Sequence, residues 1–215
     1  MFKSITFAIL ILGEGMAKLY FFYGAMNSGK TTRILQCDYN YKERGMRAVI
    51  MKPATDTKGN DKIISRIGAS KKVDYLIKSD ENVFDLIANE YNHVDLILVD
   101  EAQFLTRRQV NQLMDIVVEM SIPVMCYGLR TDFKGNGFPG SSRLLEIAHE
   151  LNEIKTICEC GRKAMFNVRL IDGKIVTEGE SVAIDGEEKV TYTVACSRCF
   201  RIKTRRKFDY SEPKY

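Results

Sequence analysis

A glycine-rich segment after an apolar run restricts the folds open to this chain more than any other feature. It matches the pattern G-x-x-x-x-G-K-[ST] and consists of Gly24, Ala25, Met26, Asn27, Ser28, Gly29, Lys30 and Thr31. In this pattern main-chain N–H groups turn inward around phosphate oxygens, Lys30 reaches the β- and γ-phosphates, and the Thr31 hydroxyl holds magnesium. We call this segment the phosphate loop and expect it to bind ATP; a glycine turn without a ligand is the alternative.

A second motif is an apolar run that ends in two acidic residues. Leu96 to Val99 is typical of a buried strand, and Asp100 and Glu101 follow it directly. A carboxylate at the end of such a strand can bind magnesium through water, which is the role expected of Asp100. Glu101 is the candidate general base for a hydroxyl or a water. The alternative is that both carboxylates only cap the following helix.

Strands and helices alternate along the chain up to about residue 151. Apolar runs predict strands at residues 18–23, 48–51, 96–99 and 124–127. Helical spacing predicts helices at 31–44, at 83–91, directly after Thr106 and at 141–151. Gly45 is the expected C-terminal cap of the first helix, and Thr106 is the expected N-cap of the third. Residues 53–72 are expected to form a polar loop. This alternation predicts an α/β fold, a P-loop NTPase-type parallel sheet with helices on both faces.

Four of the six cysteines form two close pairs. Cys158 and Cys160 make a C-x-C pair, and Cys196 and Cys199 make a C-x-x-C pair; together they supply the ligand set of a structural zinc site. A closed site of four thiolates leaves no open position for chemistry, so such a zinc ion stabilises a fold. The C-x-C spacing is tighter than usual by one residue, and uncoordinated thiols are the alternative.

The pattern changes after about residue 152, where cysteine pairs, short strands and glycine turns replace long helices. We therefore expect a nucleotide-binding domain at 16–151, a small zinc-binding domain at 152–207 and a flexible tail at 208–215. Residues 1–15 are expected to be an extension, either a start codon assigned too early or a disordered end. In the extension, the apolar run from Ile5 to Leu12 is far shorter than the roughly 20 residues of a membrane span.

The overall charge does not indicate any class of binding partner. The chain has 215 residues and a formal net charge of +4. Because so small a charge produces no strong field, we expect neither a nucleic acid nor a membrane as partner. Use of ATP and free thiolates both favour a reducing compartment, so we expect the protein in the cytoplasm.

Four stretches, in their order and spacing, resemble the zinc-containing thymidine kinases of bacteria and animal cytosol. They are the phosphate loop, D-E-A-Q-F at 100–104, G-L-R-T-D-F at 128–133 and the terminal C-x-x-C, within a resemblance that runs from about Lys18 to Arg206. The resemblance implies a P-loop kinase domain and a zinc-ribbon-like domain that carries a lasso loop. It implies transfer of the γ-phosphate of magnesium-bound ATP to the 5′-hydroxyl of thymidine, with deoxyuridine as a further candidate acceptor. A homotetramer, feedback by thymidine triphosphate and a role in deoxynucleotide salvage are implied as well.

The same resemblance assigns roles to individual residues. It makes Glu101 the base that takes the proton of the 5′-hydroxyl, while Asp100 and Gln103 join the phosphate loop in binding ATP. Asp56 matches the family aspartate near the sugar, and Lys58 stands where the family usually has arginine. Further substrate-binding positions are Met26, Phe104, Leu129, Phe133 and Phe138, which line the base pocket, Asn167, and Ser181, Val182, Ala183, Ile184, Asp185 and Tyr192, which belong to the lasso loop.

The motifs by themselves also allow two other classes of protein. One is a nucleic-acid-dependent ATPase, in which Glu101 activates water and a basic stripe on the zinc domain grips a strand. The basic residues of that region are Arg198, Arg201, Lys203, Arg205 and Arg206, and they are opposed by Glu178, Glu180, Glu187 and Glu188. The other is a nucleotide sensor without activity, which an intact base and magnesium pair disfavours. Formation of thymidine monophosphate, or ATP hydrolysis stimulated by single-stranded DNA, separates these classes.

Overall fold

A computed structural model describes residues 16–56, 60–91, 93–180 and 190–205. Its strands are β1 (Leu19–Tyr23), β2 (Ala48–Pro53), β3 (Lys62–Ile64), β4 (Ser70–Lys72), β5 (Tyr75–Ile77), β6 (Leu96–Val99), β7 (Val124–Gly128), β8 (Glu150–Glu153), β9 (Thr156–Ile157), β10 (Lys163–Ala164), β11 (Phe166–Ile171), β12 (Lys174–Val176) and β13 (Val190–Ala195). Its helices are α1 (Lys30–Lys42), α2 (Val83–Glu90), α3 (Arg107–Glu119), α4 (Pro139–Ile147) and α5 (Ser197–Thr204).

Some sequence expectations concern residues outside the described ranges. They are the extension at 1–15, Lys58, the lasso residues at 181–185 and the tail at 208–215. Among the helices that the structure describes, none is long and apolar enough to cross a membrane.

Six strands form one parallel sheet in the order β5-β2-β6-β7-β1-β8. Because alternate side chains of a strand point to opposite faces, each face of this sheet buries its own core. One core joins Phe21 and Val99 to helices α2, α3 and α4. The other joins Ile50 and Leu98 to Ile34 of α1. These two cores confirm the predicted α/β fold, a parallel sheet with helices on both faces.

The parallel arrangement brings several chain segments to one edge of the sheet. The phosphate loop follows β1, Asp100 follows β6 and Leu129 follows β7, so all three lie at the carboxyl ends of strands. Open parallel sheets bind their ligands at this edge. The helix after the phosphate loop is shorter than predicted: α1 ends at Lys42, and Gly45, with a φ of 71°, lies just beyond it.

The prediction of a plain polar loop at 53–72 is wrong. Strands β3 and β4 form an antiparallel hairpin within it. Ile63 is buried with the core beside α1, whereas Ile64 is 50% exposed, so the hairpin is an outer layer on that core. Short strands that contain three lysines carry too little apolar periodicity to be recognised from the sequence.

The helix predicted at 141–151 is wrong at its C-terminal end. It is α4, which begins at Pro139 and ends at Ile147, because the next residue has extended backbone. The following residues form β8, a partly exposed edge strand that pairs with β1. Its sequence, E-L-N-E, has no apolar run because an edge strand is only partly covered. Residue 152, the expected start of the small domain, therefore lies within the main sheet.

The chain after β8 forms a small antiparallel unit, which we call the cysteine domain. Strand β9 pairs with β10, and β12, β11 and β13 form a three-stranded sheet. Its core is small: the rings of Phe166 and Phe200 stack at 4.6 Å beside Cys158 and Cys196. The basic residues Arg198, Arg201 and Lys203 lie on α5, which ends at Thr204.

Candidate active site

The phosphate loop is a compact turn at the start of α1. Gly29 takes the left-handed φ of 83°, which glycine adopts without strain. A Cβ on Gly24 would lie 2.4 Å from the carbonyl oxygen of Ile154, so only glycine fits there. Lys30 is 8% exposed, and its Nζ donates to the carbonyl oxygens of Gly24 and Ala25 at 3.2 and 3.0 Å. These contacts hold the Lys30 side chain against the phosphate loop, where it is expected to bind the phosphates of ATP.

The two residues expected to hold magnesium lie side by side. The Thr31 hydroxyl donates to Oδ2 of Asp100 at 3.1 Å. Burial, together with the neighbouring carboxylate of Glu101, raises the pKa of Asp100 to about 7. A hydroxyl and a carboxylate are the oxygen ligands that Mg²⁺ prefers, and a cation here favours the charged form of Asp100. The donor set therefore fits magnesium.

Glu101 has an uncommon backbone conformation and a fixed side chain. Its φ is 49°, and its N–H donates to Oδ1 of Asp100 at 2.9 Å. Its Oε2 accepts from Nε2 of Gln103 at 2.5 Å. Gln103 is 1% exposed, and its Oε1 accepts from the N–H of Leu129 at 3.0 Å. We expected Gln103 to bind ATP; the structure places its amide between the Glu101 carboxylate and the chain after β7.

The phosphate loop, Asp100, Glu101 and Gln103 all line one cleft, which has a volume of about 750 Å³. The described substrate residues expected from the sequence all line it: Met26, Asp56, Phe104, Leu129, Phe133, Phe138, Asn167 and Tyr192. The rings of Phe104 and Phe138 meet edge to face at 5.7 Å between centroids. Such a wall suits a flat base, whereas the phosphate loop and the acidic pair form the polar part of the cleft.

Asn167 and Asp56 are each bonded to protein groups at the cleft. Oδ1 of Asn167, on β11, accepts from the N–H of Met26 at 2.8 Å, and its Nδ2 donates to the carbonyl oxygen of Thr131 at 3.5 Å. Asn167 therefore joins the cysteine domain to the phosphate loop. Asp56 forms an ion pair of 2.8 Å with Lys52, whose side chain is 1% exposed. This pair fixes the carboxylate after β2, at the same edge of the sheet.

The β3–β4 hairpin supplies cleft residues that the sequence analysis missed. Residues 62–67 line the cleft. The hydroxyls of Ser65 and Thr32 share a hydrogen bond of 2.6 Å, and Lys71 donates to the buried carboxylate of Asp38 at 2.6 Å. Both contacts tie the hairpin to α1, directly behind the phosphate loop. Gly68 lies at the turn between β3 and β4 with a φ of 94°. A glycine between two short runs was the signal that could have indicated a hairpin in this stretch.

The four paired cysteines come together in the cysteine domain. The Sγ atoms of Cys158, Cys160, Cys196 and Cys199 all lie within 4.8 Å of one another, so the tight C-x-C spacing does not exclude Cys160. The main-chain N–H of Cys160 lowers the pKa of Cys158 to about 6, and that of Cys199 lowers the pKa of Cys196. The neighbouring thiol of Cys160 raises the pKa of Cys199 to about 12. A cluster of four cysteine ligands, two of them stabilised as thiolates, fits a structural zinc ion.

A phosphate loop and a magnesium pair by themselves fit any P-loop NTPase. The carboxylate of Glu101 in a cleft with an aromatic wall favours one class of these proteins, the P-loop kinases, which pass a phosphoryl group to a small acceptor. Comparison with known proteins then identifies the family, since the family model for thymidine kinase matches residues 17–200. The chain belongs to the thymidine kinase family, and it is a kinase.

Individual relatives support this assignment over nearly their full length. A thymidine kinase of Shewanella oneidensis is 50% identical over 190 residues, which cover 86% of this chain and 97% of that protein. The thymidine kinase of Rhodopirellula baltica is 49% identical over 86% of this chain and 89% of its own. That of Haemophilus influenzae is 48% identical over 87% of this chain and 98% of its own. The family decides against the two other classes that the motifs allowed.

Proposed function

We propose that this protein transfers the γ-phosphoryl group of magnesium-bound ATP to the 5′-hydroxyl of thymidine, in deoxynucleotide salvage. The observation that supports this most is the position of Glu101, which lies in one cleft with the phosphate loop and an aromatic wall. The relatives are named thymidine kinases, and this makes thymidine the first acceptor to consider.

In this proposal the phosphate loop positions ATP and neutralises its charge, which is most of what phosphoryl transfer needs from a protein. Nζ of Lys30 exchanges the carbonyl oxygens of Gly24 and Ala25 for oxygens of the β- and γ-phosphates. Thr31 and Asp100 hold the magnesium ion, which neutralises charge on those phosphates when it is bound. The main-chain N–H groups of the loop hold the same oxygens.

Glu101 acts as the general base. It takes the proton of the 5′-hydroxyl while the oxygen forms a bond to the γ-phosphorus and the bond to ADP breaks. The amide of Gln103 holds Oε2 of the carboxylate, and Oε1 is the atom that receives the proton.

Thymine occupies the aromatic part of the cleft, against Phe104, Phe133 and Phe138, and Asp56 contacts the sugar. The apolar wall excludes water, so the nucleoside receives the phosphoryl group. Deoxyuridine lacks only the 5-methyl group, and a missing methyl in an apolar pocket weakens a substrate by about 10–200-fold. We therefore expect deoxyuridine to be a slower acceptor.

Further proposals concern the whole protein. The four-cysteine cluster holds a structural zinc ion. The protein works in the cytoplasm, because cysteines without disulfide bonds favour a reducing compartment. Thymidine triphosphate acts as feedback inhibitor, because it carries a thymine for the aromatic part of the cleft and phosphates for the phosphate loop. The protein forms a homotetramer, as its resemblance to the zinc-containing thymidine kinases implies.

A nucleoside panel tests the proposed reaction. The protein is incubated with magnesium-ATP and each of thymidine, deoxyuridine, deoxycytidine, deoxyadenosine and deoxyguanosine, and the nucleotides are separated. We expect thymidine monophosphate to form and purine nucleotides not to form. Lys30→Ala is the control, because it lacks the ammonium group at the γ-phosphate and should be nearly inactive with saturating thymidine. Absence of thymidine monophosphate, with ATP hydrolysis stimulated by single-stranded DNA, would overturn the proposal.

A further inference from the structure

A buried arginine lies behind two side chains of the cleft. Arg169, on β11, is 4% exposed, and its guanidinium carbon lies 3.8 Å from the centroid of the Phe133 ring. Its Nε donates to the hydroxyl of Tyr192 at 3.0 Å, and its Nη1 donates to the carbonyl oxygen of Glu180 at 2.6 Å. The same guanidinium lies 5.5 Å from the Tyr192 ring. One planar group therefore stacks on one cleft residue and hydrogen-bonds to another.

The two cleft residues come from different parts of the chain. Phe133 belongs to the turn after β7 of the main sheet, whereas Tyr192 is the partner of Arg169 across the antiparallel pair of β11 and β13. Both line the cleft. Arg169 thus sets the relative position of two cleft side chains that no shared element of secondary structure connects.

A second contact reinforces the same junction. Lys134 follows Phe133 directly, and its Nζ donates to the carbonyl oxygen of Gly179 at 3.1 Å. This bond ties the turn after β7 to the cysteine domain, at the residue before the Glu180 carbonyl that Arg169 holds. The junction lies beside the aromatic part of the cleft. The groups expected to hold phosphate and magnesium lie elsewhere, in the loop after β1, on α1 and directly after β6.

The chemistry of this contact requires arginine. A guanidinium is planar, so it can stack on a ring while its N–H groups donate in the same plane to a hydroxyl and a carbonyl. The ammonium group of a lysine is a point charge and cannot stack on the ring and donate these in-plane hydrogen bonds at the same time. Burial of a cation is costly unless several groups compensate it, and here a ring, a hydroxyl and a carbonyl do so.

We propose that Arg169 is a positioning residue that sets the affinity and selectivity for the nucleoside by fixing Phe133 against Tyr192. The inference rests on the proposed function, because it takes the aromatic part of the cleft as the nucleoside site. Arg169 acts on the acceptor through these two side chains and leaves the phosphate loop unaffected.

Kinetics of Arg169→Lys and Arg169→Met test this proposal. We expect Arg169→Lys to raise the KM for thymidine about tenfold while the KM for ATP changes less than about twofold. Arg169→Met should raise the thymidine KM further and reduce the preference for thymidine over deoxycytidine. The control is Arg143→Lys, since Arg143 pairs with Glu146 on α4, outside the cleft, and should leave both constants unchanged.

A double-mutant cycle separates positioning from general support of the fold. Tyr192→Phe removes the hydroxyl that accepts from Nε, so its effect on kcat/KM for thymidine should largely disappear in the Arg169→Lys background. Additive effects, an equal rise of both KM values, or a lower Tm with unchanged kinetics would each overturn the proposal. The wild-type protein serves as reference: if it phosphorylates no nucleoside, the proposed function itself has failed.

Discussion

Single residues of the site are polar, buried and bonded to distant parts of the chain. Asp100, Gln103 and Asn167 are 3%, 1% and 3% exposed, yet each bonds to a segment outside its own strand or turn. Burial of polar groups lowers stability unless they are hydrogen-bonded, so such groups accumulate where function requires them. The side chains of the site are therefore held by bonds within the protein.

The variant Asp100→Asn distinguishes the stability that is lost by burying this carboxylate from its expected role in binding magnesium. The pKa of Asp100 in the folded protein, about 7, lies above the ordinary value of 3.8, so the metal-free protein loses stability as the pH rises through this interval. Asparagine is neutral throughout. We expect the variant to have the higher Tm without magnesium, by more at about pH 8 than at about pH 5. Thermal unfolding checks this, and a lower Tm than wild type at the higher pH contradicts it.

The same variant should lose the stabilisation that magnesium-ATP gives to the wild-type protein. Asparagine carries no charge to hold the cation, so addition of magnesium-ATP should raise the Tm of the variant much less than that of the wild type. An equal rise in both proteins would remove Asp100 from the magnesium site.

Gln103→Met tests whether the buried amide positions the base. It removes the donor to Glu101, so we expect kcat to fall about tenfold with little change in either KM. In a Glu101→Gln background the same substitution should cost almost nothing more, because the group it positions is gone. Gln112→Met is the matched control: Gln112 is also buried and accepts from a main-chain N–H, of Val83, but lies away from the cleft. Additive losses in kcat would contradict the positioning role.

Among the elements, those with strong local signals were predictable from the sequence. Strands β1, β6 and β7 are continuous apolar runs, and α3 begins after Thr106, whose hydroxyl accepts from the N–H of Gln109. The hairpin was missed because its strands are short and rich in lysine. Strand β8 was missed because its residues are polar and it pairs with β1, which is distant in sequence. The phosphate loop and the acidic pair are local motifs and could be read directly. The contact of Gln103 with Leu129 and that of Arg169 with Phe133 join segments that are distant in sequence, which no spacing reveals.

The hairpin is expected to support nucleotide binding through its attachment to α1. Lys71→Met removes the ion pair with Asp38, whose side chain is 7% exposed, and leaves that carboxylate less well compensated. We expect a loss of about 1–3 kcal/mol in the free energy of unfolding and a raised KM for ATP. Denaturant unfolding and steady-state kinetics measure both effects.

Lys72→Met is the matched control for the hairpin. Lys72 is the neighbouring residue, its side chain is 73% exposed, and it pairs with the exposed Asp61, so its loss should have no measurable effect. Equal effects of the two substitutions would show that the attachment to α1 is unimportant.

For the molecule as a whole, the two domains are joined at the phosphate loop. Gly24 packs against Ile154 at the end of the main sheet, and Asn167 reaches from β11 to Met26. The cysteine domain has a small core, which a metal ion can supplement. Its stability should therefore affect the cleft that it helps to form.

Cys160→Ser tests this dependence at the residue with the tight spacing. Loss of one thiolate should lower the zinc content and loosen β11 and β13, which carry Asn167 and Tyr192. We expect the KM for thymidine to rise more than that for ATP, because the phosphate loop is also held by β1 and α1. Cys37→Ser is the control, since Cys37 lies on α1 outside the cluster. Full zinc content with unaltered thymidine affinity would show that Cys160 is not a ligand.

The proposed chemistry depends most directly on Glu101. Glu101→Gln keeps the size and hydrogen bonding of the side chain but removes the base, so kcat for thymidine monophosphate formation should fall by about 10²-fold or more. Binding of ATP, measured by titration calorimetry, should persist because the phosphate loop is unchanged. Turnover equal to that of the wild type would show that another group takes the proton of the 5′-hydroxyl.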